Sequence, residues 1–127
     1  MALQINGRQR ILVVEDEPVI GSVCQKILTR HGFAVDVASD GKKAIDKIHD
    51  HHYDLCILDL RMPGIDGIQL YKYLAVNSPE LSQSIVFTTG DITSSQASRF
   101  LNSSEKVYLE KPFTPRELIA AVEMTLN

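Results

Sequence analysis

The stretch YDLCILDLRMPGIDG, residues 53–67, decides how the rest of the chain is interpreted. Residues 55–58 form an apolar run whose length and composition are typical of a strand buried on both faces of a parallel sheet. The run ends on the carboxylate of Asp59, and Pro63, Gly64 and Gly67 then break the strand and open a loop. The strand therefore brings an acid to its carboxyl end, which is the edge of an open α/β sheet where ligands bind.

The same alternation of apolar strands and amphipathic helices extends over the whole chain. Further strands are predicted at residues 11–14, 33–37, 85–88 and 106–109. Helices are predicted over residues 18–31 and 93–104. Three more helices are predicted to begin after a cap at Asp40, at about Ile65 and after a Thr114-Pro115 cap. The helix over 93–104 is predicted to be marginal because seven of its twelve residues are Ser, Thr or Asn. Five βα units predict an α/β fold at residues 10–127, with helices on both faces of a parallel sheet, after a tail or linker at residues 1–9.

Size and composition exclude several classes of protein. The chain of 127 residues has the size of one domain, and its net charge of −3 gives no field that would attract nucleic acid. No apolar run approaches the ~20 residues needed to cross a bilayer and no signal peptide is present, so a cytoplasmic segment without membrane contact is expected. Cys24 and Cys56 lie within apolar patterns and are interpreted as buried thiols.

Polar residues follow four of the predicted strands. Glu15 and Asp16 follow the first strand, Asp59 the third, Thr89 the fourth and Lys111 the fifth. In a doubly wound sheet these strand ends share one edge, where two carboxylates about 4 Å apart would repel by about 4 kcal/mol at an effective dielectric of 20. A hard divalent ion such as Mg²⁺ relieves this repulsion. With a lysine and a hydroxyl beside the ion, the site suits phosphoryl transfer to a carboxylate nucleophile, Asp59.

These motifs resemble the receiver domain of two-component response regulators. The resemblance rests on the Glu15-Asp16 pair, on Asp59 with the Met-Pro-Gly and Asp-Gly steps at residues 62–67, on Thr89-Gly90 and on Lys111-Pro112-Phe113, and it covers residues 10–126. It implies a flavodoxin-like (βα)₅ fold. The family's partners are a histidine kinase or histidine phosphotransfer domain, which donates the phosphoryl group, and an output domain or protein. The output partner binds the face made by the helix over 93–104, the strand over 106–109 and the last helix.

The resemblance also assigns a role to individual residues. Asp59 is the expected phosphoacceptor, Lys111 and Thr89 contact the phosphoryl group, and Thr89 and Tyr108 form the switch. The expected metal ligands are the carboxylates of Glu15, Asp16 and Asp59 and the backbone carbonyl of Arg61, holding Mg²⁺ or Mn²⁺. A cis peptide bond is expected between Lys111 and Pro112.

Two further expectations concern particular residues of this chain, one a pair of charges and the other a cluster of histidines. Arg61 and Asp91 hold positions that in this family flank the entrance of the phosphorylation site. A salt bridge between them would hinder the water that hydrolyses the phosphoryl group; two solvated charges are the equal alternative. A cluster at residues 49–52 contains His49, His51 and His52 and resembles a metal site, but its place at the end of a helix favours a solvated helix terminus.

Rival functions are weighed against the same residues. A phosphatase of the haloacid dehalogenase type would carry a second acid two residues after its nucleophile, where Arg61 stands here. Flavin binding on the same fold disagrees with the acidic loop after the first strand. The complete acidic set argues against a non-phosphorylated interaction module. Beyond its own phosphorylation and dephosphorylation no substrate turnover is expected, and both a stand-alone receiver and a piece of a hybrid sensor histidine kinase remain open.

Overall fold

The computed structural model describes residues 8–90 and 95–127. Within these ranges the chain forms five strands and six helices, which alternate along most of the sequence. Their bounds are β1 Arg10–Val14, α1 Pro18–Arg30, β2 Ala34–Ala38, α2 Gly41–Asp50, β3 Leu55–Asp59, α3 Gly67–Asn77, α4 Pro79–Ser82, β4 Ile85–Thr89, α5 Ser95–Ser104, β5 Val107–Glu110 and α6 Pro115–Leu126.

The five strands are parallel and form one sheet in the order β2-β1-β3-β4-β5. The chain adds β2 on one side of β1 and then adds β3, β4 and β5 on the other side. This is a doubly wound arrangement, and the predicted α/β fold is confirmed. The order also makes β1, β3, β4 and β5 consecutive neighbours, so that their carboxyl ends lie next to one another.

The central strands are apolar throughout because both of their faces are covered. Side chains alternate between the faces of a strand, and Leu12 and Leu58 accordingly pack with α2, α3 and α5, whereas Ile11 and Ile57 pack with α1 and α6. The residues of β3 and β4 are all buried, including the polar Asp59 and Thr89 at their carboxyl ends. The core therefore extends right up to the edge where the polar residues were predicted to meet.

Side-chain caps fix where three helices begin. The carboxylate of Asp40 accepts the backbone N–H of Lys43 at 2.8 Å, which starts α2 at the predicted cap. Asp66 and Thr114 form capping boxes at the starts of α3 and α6. Because Asp66 is the cap, α3 begins at Gly67, two residues after the start suggested by the apolar pattern.

A short helix, α4, was not predicted from the sequence. The Ser78-Pro79 step marks the end of α3, but Pro79 also begins a new turn that ends at Ser82. Proline suits the first position of a helix because its ring presets the backbone angle and no N–H is needed there. Both β2 and β5 begin and end one residue later than predicted. None of the helices in the described ranges has the length and apolar content needed to cross a membrane.

Candidate functional site

The polar residues at the strand ends come together around the side chain of Lys111. Its ammonium nitrogen lies 2.9 Å from Glu15 Oε1, 3.0 Å from Asp59 Oδ2 and 3.5 Å from Glu17 Oε1. The side chains of Glu15 and Asp59 are almost completely buried, whereas Glu17 is largely exposed. One cation is therefore shared by three carboxylates, two of them shielded from water.

Backbone contacts hold Lys111 in this position. Its N–H donates to the carbonyl oxygen of Thr89 at 2.8 Å, which extends the β4–β5 pairing beyond the end of β5. The bond between Lys111 and Pro112 is cis, the isomer expected from the sequence. Thr89 itself is fully buried at the end of β4. The structure thus places Thr89 and Lys111 on neighbouring strands at the same edge as Asp59.

The charges in this cluster do not cancel. Burial raises the pKa of Glu15 to about 7, against the opposing effect of its hydrogen bond with Lys111. Burial would lower the pKa of Lys111, but its contacts with Glu15 and Asp59 raise the pKa instead and keep the ammonium charged. Removing a carboxylate from water is costly unless it is fully paired, and one ammonium does not suffice for the acids around it. The cluster therefore has room for additional positive charge.

The chemistry of these side chains fits a hard divalent cation. Ligand oxygens of Glu15, Asp16 and Glu17 all lie within 4.8 Å of one another. In the described part of the chain, this is the single group of three or more potential metal-binding side chains; the histidines at residues 49–52 do not form one. An all-oxygen set with few carboxylates is the type of site that suits Mg²⁺. Glu17, to which the sequence analysis gave no role, belongs to this group.

The loop after Asp59 is held against the carboxylate that it follows. The N–H of Arg61 donates to Asp59 Oδ1 at 3.1 Å, so the backbone of Arg61 lies beside the acid. Gly67, the first residue of α3, packs so closely that a Cβ atom there would lie 2.2 Å from the carbonyl oxygen of Asp59. Its N–H donates to the carbonyl of Leu60 at 3.0 Å. This contact gives a physical reason for the Asp-Gly step that the sequence analysis noted.

Tyr108, the predicted switch aromatic, lies at the edge of the sheet. It is 46% exposed, on β5 next to Phe87 of β4. Phe87 in turn belongs to an aromatic trio that was not predicted: its ring centroid lies 5.5 Å from that of Tyr71 and 5.1 Å from that of Phe100, and all pairs meet edge to face. The trio joins β4 to α3 and α5. Its members are far apart in the sequence, and no local pattern signals their contact.

Two other predictions concern residues away from this cluster. Asp91 lies outside the described residues, so its pairing with Arg61 stays a prediction. Cys24 and Cys56 are free and buried, in agreement with their interpretation as core thiols. Burial raises the pKa of Cys24 to about 11 and that of Cys56 to about 12. Neither thiol is therefore ionised, and hence nucleophilic, near neutral pH.

Comparison with known proteins agrees with this geometry. The "DNA-binding response regulator MtrA" of Mycolicibacterium smegmatis is 35% identical over 120 residues, which are 94% of this chain and 51% of that protein. Chemotaxis protein CheY4 of Vibrio cholerae superimposes with a TM-score of 0.84 at 26% identity, covering 94% of this chain and all of that one. Response regulator TrrA of Thermotoga maritima, solved in complex with Mg²⁺-BeF, gives a TM-score of 0.79 at 32% identity, covering 93% and 99%.

A match to a family model assigns the chain to a protein family. The model of the response regulator receiver domain matches residues 11–123, and the chain belongs to this family. It is a signal-transduction domain of two-component systems, as the strand-end motifs indicated. The chain spans about half the length of the curated relatives it matches.

Proposed function

We propose that Asp59 accepts a phosphoryl group from the phosphohistidine of a histidine kinase or a histidine phosphotransfer domain. The observation that carries this proposal is the environment of the Asp59 carboxylate. It is buried at a strand end, one oxygen accepts the N–H of Arg61, and the other lies 3.0 Å from the Lys111 ammonium. Both contacts hold the carboxylate in place at the strand end, where one of its oxygens can act as the nucleophile.

The transfer is a displacement at phosphorus. An oxygen of Asp59 forms the new O–P bond while the N–P bond of the phosphohistidine breaks, and the imidazole keeps the electron pair and takes a proton from solvent. Negative charge accumulates on the equatorial phosphoryl oxygens, where Lys111 stabilises it and the hydroxyl of Thr89 donates a hydrogen bond. Water later attacks the acyl phosphate and releases inorganic phosphate, which regenerates the Asp59 carboxylate.

The reaction is proposed to depend on a divalent cation, Mg²⁺ or Mn²⁺. Its ligands would be the carboxylates of Glu15, Asp16 and Asp59 and the carbonyl oxygen of Arg61. The raised pKa of Glu15 is consistent with this, because burial, and to a smaller extent the nearby Asp59, penalises its charged form, and a cation beside the carboxylate would relieve that penalty. The Mg²⁺-BeF complex of the related TrrA supports it as well. When bound, the cation supplies positive charge for the acids and for the phosphoryl oxygens.

Phosphorylation is proposed to change the face formed by α5, β5 and α6. Thr89 would move toward the phosphoryl group, and Tyr108, which is half-exposed on β5, would repack into the space this opens. Such a switch is a shift between two arrangements whose size is limited by the difference in phosphoryl contacts. The receiver, residues 10–127, would thereby regulate an output domain or partner protein in the cytoplasm, without contacting nucleic acid itself.

The donor protein is proposed to dock on the exposed side of α1. Val19 is 75% exposed and Val23, one turn later, is 47% exposed, and α1 begins directly after the acids of the site. Replacing both by Ser should slow transfer from a phosphorylated partner kinase by about tenfold, because apolar anchors contribute much of the binding energy. Transfer from acetyl phosphate should not change. Val76→Ser is the matched control, because Val76 is 79% exposed on α3; equal effects of both changes would contradict the docking site.

The acceptor is tested with the small donor acetyl phosphate and Mg²⁺. Intact-mass measurement should show one phosphoryl unit on the wild-type protein and none on Asp59→Asn. Asp54→Asn is the control. Asp54 precedes β3, at the end of the strand opposite to Asp59, and its carboxylate accepts a hydrogen bond from the backbone N–H of Arg10. No mass gain by the wild type, or an equal gain by Asp59→Asn, would overturn the proposed function.

The lifetime of the phosphoryl group is proposed to depend on a salt bridge between Arg61 and Asp91. The two residues stand two positions after the acceptor and two after Thr89, and their contact would narrow the path of the attacking water. Arg61→Ala and Asp91→Ala should each speed autodephosphorylation, measured as loss of the mass increment after the donor is removed. Unchanged rates in both variants would mean that the two side chains act as separate solvated charges.

A further inference from the structure

The loop of residues 60–66 carries the groups that complete the site next to Asp59. Arg61 contributes an N–H to Asp59 and, in the proposed function, a carbonyl oxygen to the metal. At its far end, the loop is anchored by the Asp66 capping box and by the close packing of Gly67 on the backbone of Asp59 and Leu60. Between these anchors, Gly64 has a positive φ of 77°, a backbone conformation that glycine adopts readily. One further contact holds the middle of the loop.

That contact is made by the first residue of α2. Gly41 is buried against Ile65, and a Cβ atom on Gly41 would lie 2.8 Å from Ile65 Cβ, 3.0 Å from its Cγ2 and 3.1 Å from its carbonyl oxygen. The φ angle of Gly41 is not positive, so its backbone would accept any residue. The neighbouring Ile65 is thus the feature that demands glycine here. Because Cβ is attached rigidly to the backbone, an added methyl group would have to displace the loop or the helix.

We propose that Gly41 is a positioning residue for phosphoryl transfer. Because Gly41 has no side chain, Ile65 packs directly against the first residue of α2, and this contact fixes the position of the loop of residues 60–66 relative to Asp59. Ile65 is 36% exposed and lies in a loop, whereas α2 is capped by Asp40 and packed into the core through Ala44. The loop is therefore the part that gives way. This inference rests on the proposed function, since it concerns the loop residue that would ligate the metal.

The test measures metal binding separately from phosphorylation. Gly41→Ala should raise the dissociation constant for Mn²⁺ about tenfold, the lower end of the range for changes in groups that orient metal ligands. The rate of phosphorylation by acetyl phosphate should fall by a similar factor at limiting metal and stay within about twofold at saturating metal. In metal-free protein, the amide NMR resonance of Arg61 should shift, because its hydrogen bond to Asp59 follows the loop.

Rescue distinguishes a contact from a general loss of stability. Ile65→Gly removes both side-chain atoms that the methyl group would meet and leaves only the carbonyl oxygen at 3.1 Å, so adding Gly41→Ala to that variant should cost much less metal affinity than adding it to the wild type. In an Ile65→Ala background, where Cβ remains as well, more of the loss should persist. Lys42→Gly is the control, because Lys42 is exposed on α2 and its replacement weakens the helix without adding an atom near the loop. Its metal affinity should equal that of the wild type.

The outcomes separate this inference from the function on which it rests. If the wild-type protein neither binds Mn²⁺ nor takes up phosphate, the proposed function fails. If the wild type does both and Gly41→Ala binds Mn²⁺ equally well, the positioning role is wrong. A loss of affinity that is as large in the Ile65→Gly background as in the wild type would overturn the role as well.

Discussion

The two ends of the parallel sheet handle charge in opposite ways. Toward the amino end, Arg10 at the start of β1 and Tyr53 just before β3 both hold Asp36, the middle residue of β2. The Asp36 carboxylate accepts a hydrogen bond from the hydroxyl of Tyr53 at 2.6 Å and forms an ion pair with Arg10 at 3.0 Å. At the carboxyl end, Lys111 alone is shared by Glu15 and Asp59. One aspartate with two donors is a structural network, whereas several acids around one ammonium form a cluster with room for additional positive charge. Stability and function are thus separated along the strands.

The pKa shifts of the two ends express this difference. Burial favours the protonated form of Asp36, but the hydrogen bonds from Tyr53 and Arg10 outweigh it and lower the pKa below the ordinary value. Burial also favours protonated Glu15, and here the contact with Lys111 does not compensate, so the pKa rises to about 7. The free-energy cost of burying a carboxylate is therefore offset by hydrogen bonds at Asp36 and is not offset at Glu15. Each prediction below probes this contrast by changing one charged group.

The largest effect is expected from removing the cation of the carboxyl end. Lys111→Met should slow phosphorylation by acetyl phosphate about 100-fold, because a positioned donor to the developing charge is worth 10²–10³ in rate. The measurement is the rate of mass gain at saturating Mg²⁺. Lys42→Met, an equal change at an exposed position of α2, should leave the rate unchanged. A rate for Lys111→Met within about threefold of the wild type would show that the ammonium is only a structural counter-ion.

The second effect is a gain of stability from removing an acid at the same end. In the presence of a chelator at about pH 8, Glu15→Gln should raise the free energy of unfolding by about 2 kcal/mol, because a rise in pKa from 4.5 to about 7 is a penalty on the charged form. The gain is below the full value of that shift because Lys111 loses one partner. Added Mg²⁺ should stabilise the wild type more than the variant. Destabilisation in chelator would mean that the cluster is already balanced by Lys111.

The elements of the fold, and the acids of the site, were predictable because their signals are local. Apolar runs such as residues 55–58 define the strands, and the residue that ends each run is assigned to the same edge by the parallel topology. Asp59 and Lys111 were therefore expected to approach each other although they are far apart in the chain. The structure places their charged atoms 3.0 Å apart.

Contacts that depend on the path of one side chain were not predictable in this way. Nothing in the sequence distinguishes Glu17 from other surface acids. The distance of 3.5 Å between its carboxylate and the Lys111 ammonium depends on how the chain turns into α1. The contact of Gly41 with Ile65 joins a helix start to a loop, and neither residue carries a motif that names the other. Pro79 follows the cap of α3 and is also the first residue of α4. These features arise from tertiary packing, which no local pattern records.

At the amino end, the same acid-to-amide change should have the opposite sign. Asp36→Asn should lower the free energy of unfolding by about 1 kcal/mol, since it weakens hydrogen bonds to a charged group that is one third exposed and therefore partly screened. Phosphorylation of Asp59 should be unaffected. Urea unfolding followed by circular dichroism provides the measurement. A stabilising effect of Asp36→Asn would remove the contrast between the two ends.

The smallest effect is the pH dependence of that loss. Because the folded pKa of Asp36 is depressed, its stabilisation is present above the ordinary value of 3.8 and is lost as the pH falls through the lower folded value. The difference in stability between wild type and Asp36→Asn should therefore be constant near about pH 6 and smaller at about pH 3. Arg10→Met should show the same trend, because it removes one of the groups that depress the pKa of Asp36. A difference that does not change with pH would assign the effect of Asp36→Asn to packing instead of charge, and the balanced network at the amino end would then be a matter of shape.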